Sequence, residues 1–348
     1  MIGECLSFQE QETGAFMTKQ TLRNFALALI SLGTVLIPSA ASGQVGISSK
    51  LPGKYRATAA AQMASHQAKT PGSPSYTYTL LSFPGTLSTF ANGINKGATT
   101  SKVEVVGSQG QGGFLVDASL KKTVSERYQA VNFPHSAEQS ANGVNDAGQI
   151  VGYYVDSSGV QHGYERSGAK FTTIDVPFVG ATATSANAIN NSDEIVGGWT
   201  DSGGVTHAFT LIAGAYASFD YPGATFTTAL DVNNPGEIVG FYNDTSGAGH
   251  GFSLSGGTYT SIDVPGALYT NSPGINDAGS IVGLYCATSQ CVSTNEGEQG
   301  FVLSGGVFTT IAILGEDYTY LVNINNSGVV IGGYQDAAGV DVAFMATP

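Results

Sequence analysis

The sequence predicts an all-β fold, a closed ring of six four-stranded antiparallel blades, and three observations carry that expectation. The first is a repeat. A motif of Asn, a turn, two β-branched residues and Gly runs from Asn145 to Gly152, Asn190 to Gly197, Asn233 to Gly240, Asn276 to Gly283 and Asn325 to Gly332, with a longer copy from Asn95 to Gly107. Successive Asn positions lie 50, 45, 43, 43 and 49 residues apart. A period of about 40–50 residues that holds several short strands marks a propeller or solenoid. The second is composition. The 348-residue chain has 47 Gly and only 11% charged residues, and short Val, Ile, Thr, Tyr and Phe runs sit between Gly, Asn, Asp and Pro clusters. The third is that the two ends complement each other. The repeats open at Tyr76 with YTYTLLSFPG, which matches a fourth strand, and close at Val342-Ala343-Phe344, which matches a third. Pairing 76–84 with the C-terminal blade closes a six-bladed β-propeller and removes both sheet edges.

Ahead of the repeats, Lys19 and Arg23 precede an apolar run from Phe25 to Ile37 and then PSAASGQ. This is the pattern of a Sec-type export signal cleaved near Gly43, and a start at Met17 gives it ordinary proportions. The run is 13 residues, too short for a membrane span. Residues 44–75 read as a flexible basic linker and 76–348 as the propeller. A secreted or periplasmic protein is expected.

Within each unit the first strand is short and ends in the motif Asn (ANGVN, ANAIN, ALDVN). A turn such as NDAG follows, where Asn and Asp bond the backbone and Gly takes positive φ. The second strand is QIVGYYV or a relative, and DSSG or DSGG turns lead into the third. The third carries a small residue and an aromatic: Gly113-Phe114, Gly163-Tyr164, Ala208-Phe209, Gly251-Phe252, Gly300-Phe301 and Ala343-Phe344. The fourth strand (FTTIDVP, YASFDYP) ends in Pro, which belongs on an edge because it cannot donate to a ladder.

The triplet His207-Ala208-Phe209, its variants His162-Gly163-Tyr164 and His250-Gly251-Phe252, and the IVG and D-x-x-G elements before them resemble the bacterial extracellular HAF-repeat family. The resemblance covers about 76–348, although Gly112, Gln299 and Val342 replace the His in blades one, five and six. It implies an exported, repeat-built protein and carries over no catalytic residues.

Charge narrows the partners. Residues 76–348 hold seven Lys and Arg against 23 Asp and Glu, and no cation follows residue 170. Nucleic acid, whose phosphates need basic residues, is excluded; a glycan or a protein partner is permitted, and a monomer is expected. Cys286 and Cys291 are expected to form a disulfide, as a close pair in an exported chain does. No cofactor is expected. The acid count raises calcium, but no D-x-D-x-D-G loop exists to hold it. The three His are not read as a metal site, because equivalent third strands stand too far apart for shared ligation; a structural role at blade contacts is expected for them.

The array that draws attention ends the second strands: Tyr154-x-Asp156, Trp199-x-Asp201, Tyr242-x-Asp244 and Tyr334-x-Asp336, with Tyr285 at the fifth position. Residues two apart share one face of a strand. Aromatic and carboxylate together suit a sugar ring and its hydroxyls; equally, the aromatics pack between blades and the Asp residues brace turns. The disulfide insert with Glu296 and Glu298 falls on the same end of the disc, and the first-blade insert with Lys121, Lys122 and Arg127 on the other. The leading expectation is a non-catalytic binding propeller. The alternatives are a hydrolase or lyase acting on glycans or esters through an acidic site at the propeller axis, and a structural scaffold.

Overall fold

A computed structural model describes residues 76–348 apart from 84–85, 87, 98–102, 119–126, 314–317 and 337–338. The expected signal over 1–43, the linker over 44–75 and most of the first-blade insert, with Lys121 and Lys122, lie outside the described residues.

Six four-stranded antiparallel sheets follow one another in the chain. Blade one is β2 (Phe90–Ile94), β3 (Glu104–Gln109), β4 (Gly112–Asp117) and β5 (Arg127–Val131). Blade two is β6 (Glu138–Val144), β7 (Ile150–Val155), β8 (Gln161–Ser167) and β9 (Lys170–Ile174). Blade three is β10 (Ala183–Ile189), β11 (Ile195–Thr200), β12 (Thr206–Ile212) and β13 (Ala215–Phe219). Blade four is β14 (Phe226–Val232), β15 (Ile238–Asn243), β16 (Gly249–Ser255) and β17 (Thr258–Ile262). Blade five is β18 (Tyr269–Ile275), β19 (Ile281–Cys286), β20 (Gln299–Ser304) and β21 (Val307–Ile311), with one helix, α1 (Ser289–Thr294), between its second and third strands. Blade six takes β22 (Thr319–Ile324), β23 (Val330–Gln335) and β24 (Asp341–Thr347) from the C-terminus, and its outer strand is β1 (Thr77–Leu81), paired from Thr77 with Thr347 to Leu81 with Ala343. The ring closes as the sequence predicts.

The repeat residues have one packing reason. Each inner strand carries a β-bulge: in blade three the register steps from Ala186 opposite Gly197 to Ala188 opposite Val196. The bulge drives an inner-strand carbonyl against the IVG glycine. A Cβ on Gly197 would stand 2.0 Å from the Ser185 oxygen and 2.8 Å from the Phe209 ring, closer than real Cβ atoms come. The third-strand aromatics Phe114, Tyr164, Phe209, Phe252, Phe301 and Phe344 are all fully buried. They anchor apolar clusters that run from blade to blade, such as the one joining Val151 and Ile174 to Ile195, Trp199 and Phe209.

The motif Asn residues join the blades at the centre. Asn190 Oδ1 accepts from Ser192 N and Glu194 N at 2.9 and 3.0 Å, which closes its own turn, and its Nδ2 donates to the Asn233 carbonyl of the next blade at 3.0 Å. Asn145 donates in the same way to Asn190, Asn233 to Asn276, and Asn276 to Asn325. The next residues form a second circuit: Asp146, Asn191, Asn234 and Asp277 each donate a backbone N–H to the side chain of Asn191, Asn234, Asp277 and Asn326 respectively. Asn326 N then donates to Lys96 O, and Gly97 N to Asp146 Oδ1, completing the circle.

Removing one carboxamide from this ring leaves turn N–H groups and a neighbouring carbonyl buried and unpaired, at about 1–3 kcal/mol for each such group. Asn190→Ala is expected to lower stability by about 3 kcal/mol, read as a shift of the urea midpoint; an unchanged midpoint would show that the ring carries no stability.

Candidate ligand pocket and the axial channel

At the axis, the third residue of the inner motif is Gly93, Gly143, Ala188 and Gly274 in four blades, but Asp231 in blade four and Asn323 in blade six. Lys96, which follows the motif Asn of blade one, extends into the space the small residues leave. Its Nζ donates to Asp231 Oδ2 at 2.5 Å, to the Ile275 carbonyl at 2.5 Å and to Asn323 Oδ1 at 3.1 Å, so all three ammonium protons are used. Asp231 also accepts from Val232 N and Ile275 N. Burial pushes the Asp231 carboxyl up, while the Lys96 ammonium and the two N–H donors work against that push. Lys96 and Asp231 are 2% and 1% exposed. The carboxylate that the enzyme alternative would place at the axis is thus a single ion-paired group rather than a carboxylate pair. Lys96 was missed in the sequence; the signal was a lone cation where the other blades carry Asp146, Asn191, Asn234, Asp277 and Asn326.

The aromatic and Asp array is engaged within each blade. Tyr154, Trp199, Tyr242 and Tyr285 reach across the third strand and bond fourth-strand hydroxyls: Thr173 at 3.0 Å, Ser218 at 2.9 Å, Ser261 at 3.1 Å and Thr310 at 3.0 Å. Rings from the preceding link cover three of them. Phe133 stacks on Tyr154 at 3.6 Å and Tyr221 on Tyr242 at 3.7 Å between centroids, and Phe178 lies 5.0 Å from Trp199. Trp199, Tyr242 and Tyr334 are buried, while Tyr154 and Tyr285 are half-buried. Burial pushes the Tyr242 phenol up to about 12. Asp156, Asp201, Asp244 and Asp336 brace their turns: Asp201 Oδ1 accepts from Gly203 N and Val205 N at 2.8 and 2.9 Å, and Asp336 Oδ1 from Val340 N at 2.9 Å.

The three His were expected at blade contacts. Each instead bridges two carboxylates of its own blade while stacking on the array aromatic. His162 Nδ1 lies 2.8 Å from Asp175 and Nε2 3.4 Å from Asp156; the His207 and His250 pairs repeat the pattern with Asp220 and Asp201, and with Asp263 and Asp244. The reason is register, since the His stands directly opposite the aromatic on the neighbouring strand. Among the described residues no three His, Cys, Asp or Glu converge in a metal-ligating group.

The open cavity lies elsewhere on this face, between blades four and five. It encloses about 300 Å³. Phe226, Leu230, Phe241 and Leu284 form its apolar wall, and Asn243, Tyr269, Asn271, Asn295 and Glu298 its polar one. Along it Phe226 meets Phe241 edge to face at 5.9 Å between centroids, and the Phe241 and Tyr269 rings lie tilted to each other at 5.3 Å. Burial, and then the Glu298 carboxylate, push the Tyr269 phenol above its ordinary range. The rim is the α1 insert. Cys286 and Cys291 are disulfide-bonded, with Cα atoms 5.4 Å apart, and the bond ties α1 to the end of β19. Thr288 caps the helix by accepting from Cys291 N, and Asn295 ends it in the left-handed conformation. The array residues do not line this cavity; Cys286 and Glu298 do.

No protein-family model matches the chain, and no curated protein sequence matches it. Among solved structures it is similar to AofleA from Arthrobotrys oligospora, with a TM-score of 0.50 at 10% identity over 80% of this chain and 89% of that one. A mutant Trypanosoma rangeli sialidase displaying trans-sialidase activity gives 0.49 at 7% identity over 79% of this chain and 59% of that one. The Aleuria aurantia lectin, a fungal six-bladed β-propeller with a novel fucose recognition mode, gives 0.41 at 12% identity over 73% of this chain and 91% of that one. What this chain shares at such identities is the fold, a ring of β-blades.

Two outcomes follow from the charges. Lys96→Met strands the buried Asp231 and is expected to cost about 3–5 kcal/mol, most of it recovered in Lys96→Met/Asp231→Leu; a double variant as unstable as the single would refute the pairing in chemical denaturation. The Ser158 hydroxyl and Val160 N–H hold Asp156 down to about 2, and like turn bonds lower Asp201 and Asp244. A carboxylate lowered by folding stabilises fully above its unfolded value, about 3.9, and loses that contribution as pH falls toward 2. Asp156→Asn/Asp201→Asn/Asp244→Asn keeps the turn acceptors, so its Tm should fall less steeply than wild type between about pH 4 and 2; parallel profiles would contradict this.

Proposed function

We propose that the protein is an exported, non-catalytic binding propeller, resembling the HAF-repeat type, whose partner is a glycan met outside the cell. The observation that carries this reading is the cavity between blades four and five. It brings three aromatic rings, three carboxamides and a carboxylate to one concave surface, the mixture of apolar wall and few placed polar groups that ligand sites use. Residues 76–348 carry 23 Asp and Glu against seven Lys and Arg, a balance that disfavours an anionic partner. The charged pair at the axis is buried and internally satisfied, so it offers no free charge to a partner. No helix among the described residues is long and apolar enough to cross a membrane.

The scaffold reading draws on a different observation, the inward bonding of Tyr154, Trp199, Tyr242 and Tyr285. Electrophoresis of the full-length protein through gels cast with a panel of neutral polysaccharides separates the two. Retardation by at least one polymer is expected; normal migration in every gel overturns the glycan reading and leaves the scaffold.

A further inference from the structure

The repeat is broken beside the cavity in a way that sets its lining. Gly249 stands opposite Asn243, in the register where Gln161 stands opposite Val155 in blade two and Thr206 opposite Thr200 in blade three. Gln161 and Thr206 are buried, and Gln161 donates across the gap to the Thr184 carbonyl of the next blade. Gly249 has no side chain to do so. A Cβ there would meet the Tyr269 ring at 2.6 Å and the Phe241 ring at 2.7 Å, so those rings occupy the place a side chain would take. On the inner strand of blade four Leu230 stands where blades one to three carry the inter-blade carboxamides Asn92, Asn142 and Asn187, as Pro273 and Val322 do in blades five and six.

The lining has a definite chemistry. Leu268 and Val292, at the mouth, are 55% and 42% exposed, two of the few large apolar side chains that the described surface offers to water. Inside, Asn271 is 5% exposed and its Oδ1 has no hydrogen-bond partner. A buried amide oxygen in that state is a poised acceptor, because pairing it with a donor recovers a desolvation cost. Lys and Arg are missing from the lining, and the buried Glu298 opposes an anion. The volume stands at the lower end of ligand pockets, about 300–1,000 Å³, which fits one ring rather than an extended chain.

We infer that this pocket receives a single uncharged sugar residue, its apolar face on the Phe241 and Tyr269 rings and its hydroxyls on Asn243 and Asn271. The inference rests on the glycan-binding reading and gives it a location and a charge class. An acidic sugar is rejected by Glu298 and by the absence of a cation to pair with it.

Saturation-transfer NMR on the full-length protein tests this. The probes are methyl glycosides of a neutral hexose and of an N-acetylhexosamine, methyl glucuronide, and tetramethylammonium. Transfer to at least one neutral glycoside is expected and none to the glucuronide. Affinity should fall at least about tenfold in Asn243→Ala, the equivalent of one hydrogen bond, and be lost in Leu268→Trp, which fills the mouth from an exposed position that folding tolerates. Transfer only to glucuronide or tetramethylammonium overturns the inference. Neutral-sugar binding that persists unchanged in both variants also overturns it while leaving glycan binding intact. Polysaccharide gels that retard nothing overturn the broader reading itself.

Discussion

The fold depends on how six wedge-shaped sheets are tied at their narrow ends. Strand ladders hold each blade together, but nothing in a ladder joins one blade to the next. That task falls to the apolar clusters between blades and, at the narrow ends, to the carboxamides of the inner turns. One Asn side chain closes its own turn through Oδ1 and bonds the following blade through Nδ2, as Asn190 does toward Asn233. A residue that serves two blades couples turn geometry to blade spacing, which is why the motif repeats with so little variation. Carboxamides suit the position because one side chain must both accept and donate. They do so in a buried setting where an unpaired group is costly.

The circle is not uniform, and its exceptions follow from closure. The first inner turn is the longest in sequence, and the residue after its Asn is Lys96. Its side chain leaves the outer circuit and crosses the axis to Asp231, Ile275 and Asn323. A six-fold ring leaves an axial hole wider than backbone contacts can fill. A long side chain that saturates its ammonium protons fills that hole without an unpaired charge. Asp231 and Asn323 sit on the inner strands where the other blades carry Gly or Ala, so the three departures from the repeat form one unit.

The same logic separates structure from binding on the face. Where the repeat is regular, the aromatic, His and Asp residues lock one another. Tyr154 bonds Thr173, stacks on Phe133 and covers His162, whose nitrogens face Asp175 and Asp156. Polar tips and ring faces used in this way are withdrawn from a partner. Where the repeat fails, at Gly249 and Leu230 with the disulfide-clipped insert beside them, surface is left unfilled. A repeat protein that must bind something without losing its ring does so most cheaply at such a departure, because the surrounding blades keep their contacts.

Much of this was determined by the sequence alone. Period, strand count, the order of turns and the pairing of the first strand with the last follow from side-chain alternation and turn chemistry, which are local. Cys286 and Cys291 are close enough in sequence to imply the bond that the structure forms. The partners of Lys96 were invisible, because Asp231 and Asn323 lie 135 and 227 residues away and meet it only when the ring closes. The pocket was invisible for a related reason. Gly249, Phe241 and Tyr269 belong to two blades, and the rings that line the pocket take the place of the absent side chain only when the neighbouring blade is docked. The inward turn of Trp199 was likewise beyond a two-residue spacing argument, since spacing assigns the face of a strand but not what packs upon it. Local chemistry decided the blades; the contacts between blades, set by closure of the ring, decided where a cavity opens.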